Sequence, residues 1–143
     1  MIGKTFDQLN TGDKDQFSKT VTDADITLFA GVTGDLNPAH IDETYARGTF
    51  FKKRIAHGML SAGFVSAVIG TRLPGPGTVY MHQSLDFLAP VYIGDTVTAV
   101  VEVIEKIDEK KRVRLKTTCF NQDGAAVLDG EALVSPPRPP KQS

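Results

Sequence analysis

From residue 78 onward the chain alternates apolar and polar side chains in four runs, 78–88, 96–107, 112–122 and 125–135. A two-residue period marks strands with one face buried. In the first run Val79, Met81, Leu85 and Phe87 alternate with Tyr80, His82, Ser84 and Asp86. Asp108-Glu109-Lys110-Lys111 and Asn121-Gln122-Asp123-Gly124 supply hairpin turns, and Pro90 and Gly94-Asp95 mark the link between the first two runs. Ahead of the strands, residues 57–70 are apolar nearly all round, which predicts a buried helix rather than an amphipathic surface one. Ala62, Ser66 and Gly70 recur at every fourth position, with Gly63 and Ala67 beside them, so another backbone is able to approach closely. The pattern predicts an α+β domain in which an antiparallel sheet wraps a long central helix.

The N-terminal half is more broken. Two short β-like pieces, 4–9 and 16–21, flank the turn signal Asn10-Thr11-Gly12-Asp13. A helix should begin at Thr22, which caps it, with Asp23 and Asp25 in the first turn. Its apolar face is Ile26, Phe29, Ala30 and Val32, and Gly34 stops it. Asp42 should cap a short helix over 43–47 that ends at Gly48. Residues 49–56 carry no clear period, and Lys52-Lys53-Arg54 reads as a solvated surface run. Leu73-Pro74-Gly75-Pro76-Gly77 is a turn and no phosphate cradle, because prolines lack N–H donors. The expected division is one domain over 1–135 followed by an extended or frayed proline-rich tail, 136–143.

Composition narrows the function classes. A chain of 143 residues with 41% hydrophobic and 23% charged residues is long enough for a single buried core. A net charge of -1 gives no electrostatic case for nucleic acid or for an anionic membrane. The longest apolar stretch is too short to span a bilayer, and the opening residues are expected to form no secretory signal. The lone Cys119 fits a reducing compartment and reads as a buried small side chain, so a cytoplasmic domain is expected. The three histidines follow no standard zinc spacing, so no metal is expected, and His82 belongs at a surface or interface.

The chemistry concentrates in Gly34-Asp35-Leu36-Asn37-Pro38-Ala39-His40, which sets an acid, an amide and an imidazole within six positions. Asn37-Pro38 disfavours helix at Asn37, and the stretch reads as a rigid loop presenting Asp35 and His40 to a common point. Carboxylate and imidazole together move protons and activate water. The run Phe29-x-x-Val32-Thr33-Gly34-Asp35-x-Asn37-Pro38-x-His40, with Ala46 beyond it, resembles the hydratase 2 motif of MaoC-like (R)-specific enoyl-CoA hydratases. Ala56-His57-Gly58-Met59, Pro74-Gly75, Gln83-Ser84-Leu85-x-Phe87 and Pro90-Val91-x-x-Gly94-Asp95 extend the likeness over about residues 5–135. Ala39 departs from it, since the family usually carries Leu, Ile or Val there.

The resemblance implies a hot-dog fold, usually paired into a homodimer, and the reversible (R)-specific hydration of trans-2-enoyl-CoA to 3-hydroxyacyl-CoA. It implies Asp35 and His40 as the catalytic pair that holds and activates water. Gly58, at the start of the central helix, would be the oxyanion donor, because free backbone N–H groups and the helix dipole favour negative charge there. Asn37 and Ser66 are expected to support the pair, and Ile69 to floor the acyl pocket. His57 is expected to help position the helix, with no catalytic role. Coenzyme A belongs to the substrate, so no cofactor is expected. Three alternatives stay open: an acyl-CoA thioesterase of the same fold, a 3-hydroxyacyl-acyl-carrier-protein dehydratase, and a non-catalytic acyl-CoA-binding module.

Overall fold

The computed structural model describes residues 1–141, so the last two positions of the proline-rich tail lie outside the described residues. The alternating runs form the strands β2 (Val79–Gln83), β3 (Asp86–Phe87), β4 (Thr96–Ile107), β5 (Arg112–Phe120) and β6 (Ala126–Ser135). They join β1 (Lys14–Thr20) in one antiparallel sheet of order β1-β4-β5-β6-β2, with β3 also paired to β6. Along β4 every second side chain from Val97 to Val103 is buried, as the two-residue period requires.

Among the described residues there are four α-helices: α1 (Asp23–Thr33), α2 (Pro38–Ile41), α3 (Glu43–Arg47) and α4 (Gly58–Thr71). The last of these is the central helix. It touches β1, β4, β5 and β6, and buries Val65, Val68 and Ile69 against Val97, Val101 and Leu115. Its Ser61 carbonyl accepts from the Cys119 thiol at 3.6 Å, and burial pushes that thiol up to about 12, which makes it a core side chain and no nucleophile. Among the described residues, no helix is long and apolar enough to cross a membrane.

Local signals set the ends of α1. Asp25 N–H donates to Thr22 Oγ1 at 3.1 Å, and the Thr22 N–H donates back to the Asp25 carboxylate at 2.9 Å. Gly34 closes the helix in the left-handed region at φ 82°. Lys19 on β1 reaches the Asp25 carboxylate at 2.7 Å and ties the helix to the sheet edge. Only part of the anticipated apolar face is used: Ile26 and Ala30 are buried, whereas Val32 is 80% exposed.

The structure differs from the sequence reading at several points. Residues 4–9 form no strand. Thr5 caps a single 3-10 turn, Phe6–Gln8, and the three-residue spacing buries Phe6 and Leu9 together. The run 78–88 is two strands, because the chain breaks at Ser84-Leu85 and crosses closely over β6. Ser84 N–H donates to the Glu131 carbonyl at 2.9 Å there, and a Cβ on Gly130 would collide with the Ser84 carbonyl oxygen. The tail is not frayed at its start, since Pro136 and Pro137 are buried and Pro137 packs on Gly77.

Removing the α1 cap with Thr22→Ala is expected to cost about 1 kcal/mol, read by urea denaturation. The hydrogen bond from Lys19, followed by that from the Thr22 backbone, holds the Asp25 carboxyl below its ordinary value. A carboxyl lowered by folding contributes stability above its unfolded value and loses it as pH falls through the folded one. Asp25→Asn should therefore lower the melting temperature at neutral pH and leave it unchanged in strong acid.

Candidate active site

Three side chains from separate elements meet beyond the C-terminus of α1. Asp35 follows the Gly34 cap, His40 lies within the one-turn helix α2, and His57 is the N-cap residue of α4. Polar atoms of the three lie within 4.8 Å of one another. Asp35 is exposed, His40 half-buried and His57 buried.

The loop is built by short-range bonds. Asp35 N–H donates to Thr33 Oγ1 at 3.2 Å, and Asn37 N–H donates to Asp35 Oδ1 at 3.3 Å. Asn37 Oδ1 then accepts from Ala39 N–H at 3.1 Å, which makes Asn37 the cap of α2 with Pro38 at its first position. The stretch is thus not wholly a loop, as the sequence reading had it. Asn37 stays non-helical, and its side chain starts a helical turn that carries His40.

Each histidine commits one ring nitrogen to a backbone carbonyl. His40 Nδ1 lies 2.8 Å from the Ile55 oxygen, and His57 Nε2 lies 3.0 Å from the Asp35 oxygen. A carbonyl only accepts, so Nδ1 carries the hydrogen in His40 and Nε2 carries it in His57. The free nitrogen of His40 is therefore Nε2. The two rings lie face to face, with centroids 3.9 Å apart and planes tilted by 31°.

Arg54 holds the other side of His40. Its Nε donates to the His40 carbonyl at 2.7 Å, and its Nη2 donates to Asp23 Oδ1 at 2.8 Å. At 13% side-chain exposure it is no part of a solvated run, in contrast to Lys52 and Lys53. Its planar fork bridges the end of α2 to the start of α1, a role that no local sequence signal announces.

Asp35, His40 and His57 open onto a cavity of about 490 Å³ whose walls include Phe51, Ile55, Phe87 and Leu128. Gly58 lies at its edge as the first residue of α4, where its N–H has no partner within the helix. A Cβ on Gly58 would come within 2.5 Å of the Phe87 ring, so only glycine permits this approach. An exposed backbone donor beside an apolar cavity is equipped to stabilise a developing oxyanion.

Two of the sequence-derived residues lie elsewhere. Ser66 sits on the exposed face of α4, and Ile69 is buried in the core, and neither lines the cavity. Ser61, buried and on the cavity wall, is the helix serine that the structure brings to the site. The uniform apolarity of α4 leaves its rotational phase unreadable, which explains the exchange. His57 was expected only to help position the helix; the structure also sets its ring against His40. The grouping of Asp35, His40 and His57 is a donor set that linear spacing hides. Stacked rings do not aim their in-plane lone pairs at one point, so the arrangement suits proton handling better than ion coordination.

Residues 7–122 match the MaoC like domain. An (R)-specific enoyl-CoA hydratase of Rhodospirillum rubrum is 56% identical over 132 residues, covering 92% of this chain and 91% of that protein. A 3-hydroxybutyryl-CoA dehydratase of Methylorubrum extorquens is 51% identical, covering 93% of this chain and 84% of that protein. An unliganded R-hydratase structure from Pseudomonas aeruginosa superposes with a TM-score of 0.90 at 43% identity, covering 99% of this chain and 96% of that one.

Arg54→Met keeps the aliphatic stem and removes both charged hydrogen bonds. It is expected to lower unfolding stability by about 1–3 kcal/mol, measured by denaturant titration.

Proposed function

The chain belongs to the MaoC-like domain family, and on that footing we propose that it is an (R)-specific enoyl-CoA hydratase acting reversibly as a 3-hydroxyacyl-CoA dehydratase. The observation that carries this reading is the meeting of Asp35 and His40 at an apolar cavity that Gly58 also lines. The enoyl chain lies in the cavity with its thioester oxygen at Gly58. Asp35 and His40 hold one water between them. Its oxygen bonds to the β-carbon while its proton passes to the pair, and charge moves onto the thioester oxygen. A proton returned by the pair to the α-carbon collapses that charge and completes the addition. Asp35 serves as base and His40 as shuttle, and no cofactor is needed beyond the substrate's own coenzyme A.

The same proposal includes a homodimer in the cytoplasm. β2 is an edge strand, and Val79, Tyr80 and Met81 on it are all more than a third exposed. On α4 the residues Gly63, Ser66 and Gly70 are exposed, and these small residues admit a close second backbone. A second copy would cover both surfaces. Sedimentation should show a dimer at micromolar concentration, and a monomer there would overturn this part.

Purified protein mixed with crotonyl-CoA should lose the enoyl-thioester absorbance without releasing thiol, giving the (R)-3-hydroxy product. Asp35→Asn and His40→Gln should each lower the rate by at least about 10²-fold with unchanged melting temperatures. Full activity in both variants would sink the assignment, and thiol release would turn it to thioesterase.

A further inference from the structure

We propose that His57 is a positioning residue for the Asp35–His40 pair, acting through its ring face on His40 and through its Nε2–H on the Asp35 backbone. The inference rests on the hydratase reading above for its kinetic arm alone. His57 is 3% exposed, so most of its ring is packed against protein although it borders the cavity. Its ring packs against His40, at 3.9 Å, and against Phe29, at 4.8 Å between centroids. Within the ring plane, Nε2 donates to the Asp35 carbonyl at 3.0 Å, which restrains the backbone from which the Asp35 carboxylate projects.

The remaining nitrogen, Nδ1, is buried without a hydrogen-bond partner. An unpaired buried nitrogen is unfavourable, and packing alone would be better served by a phenyl ring. The imidazole combines a flat face for His40 with an in-plane donor for the Asp35 carbonyl, which a phenyl ring cannot do. His57 is also bonded covalently to Gly58. One rigid side chain therefore couples the carboxylate, the imidazole and the backbone donor, three groups carried by separate elements. Misplacement of about 1 Å at such a site costs on the order of 10²-fold in rate.

Two variants separate the contacts. His57→Phe keeps the faces and removes the donor, and His57→Gln keeps a donor and removes the ring. Each should lower kcat for crotonyl-CoA hydration by about 10²-fold with KM unchanged, because the groups act in the transition state. Nitrogen NMR of isotope-labelled histidine provides a readout that a merely structural role would not move. Wild-type His40 should show the hydrogen on Nδ1, and both variants should shift that signature toward a mixture of tautomers. Wild-type kcat, or an unchanged His40 signature in both variants, overturns the proposal. Should wild-type protein leave crotonyl-CoA untouched, the hydratase reading falls, and the His40 signature alone decides the role of His57. Should His57→Phe fail to fold, His57→Gln supplies both measurements.

Discussion

The site depends on backbone carbonyls being available to histidine rings. The Ile55 and Asp35 oxygens are left over by irregular segments, one before α4 and one after α1, and each is occupied by an imidazole N–H. Regular secondary structure would have consumed both oxygens. The loop between α1 and α2 and the poorly patterned stretch after α3 are therefore the source of the acceptors that orient the site. Arg54 closes the same region by joining the end of α2 to the start of α1, so the irregular part is pinned at both flanks.

Rigidity comes from the other half of the chain. α4 lies against a sheet whose facing positions are Val, Ala and Leu, and its own inward positions are Ser61, Val65, Val68 and Ile69. These recur at the three- and four-residue spacings of one helix face. A helix so enclosed has a fixed N-terminus, and Gly58 inherits that fixity. The Phe87 ring pressed on Gly58 links the helix start to the break between β2 and β3, where Gly130 of β6 lets two chain segments cross.

Much of this was legible in the residues because local physics decided it. Thr22, Asp25 and Gly34 mark α1 by capping and by a left-handed stop, and alternation marked β4, β5 and β6. The Asp35/His40 spacing was readable because the loop is made by Asx-type bonds within a few residues. What stayed hidden is long-range or phase-dependent. Phe6 and Leu9 fit a short strand as well as a 3-10 turn until their partners are known. Ser61 and Ser66 are indistinguishable on a helix with no polar face. The bridge from Arg54 to Asp23 spans 31 residues and leaves no trace in either neighbourhood.

The bond from His40 to the Ile55 carbonyl has one further implication. It uses the Nδ1 hydrogen, which is present whether the ring carries one proton or two. A proton gained or lost at Nε2 therefore leaves the anchor intact. The imidazole keeps its aim through a full cycle of charge, and no reorientation has to separate taking up a proton from giving it back.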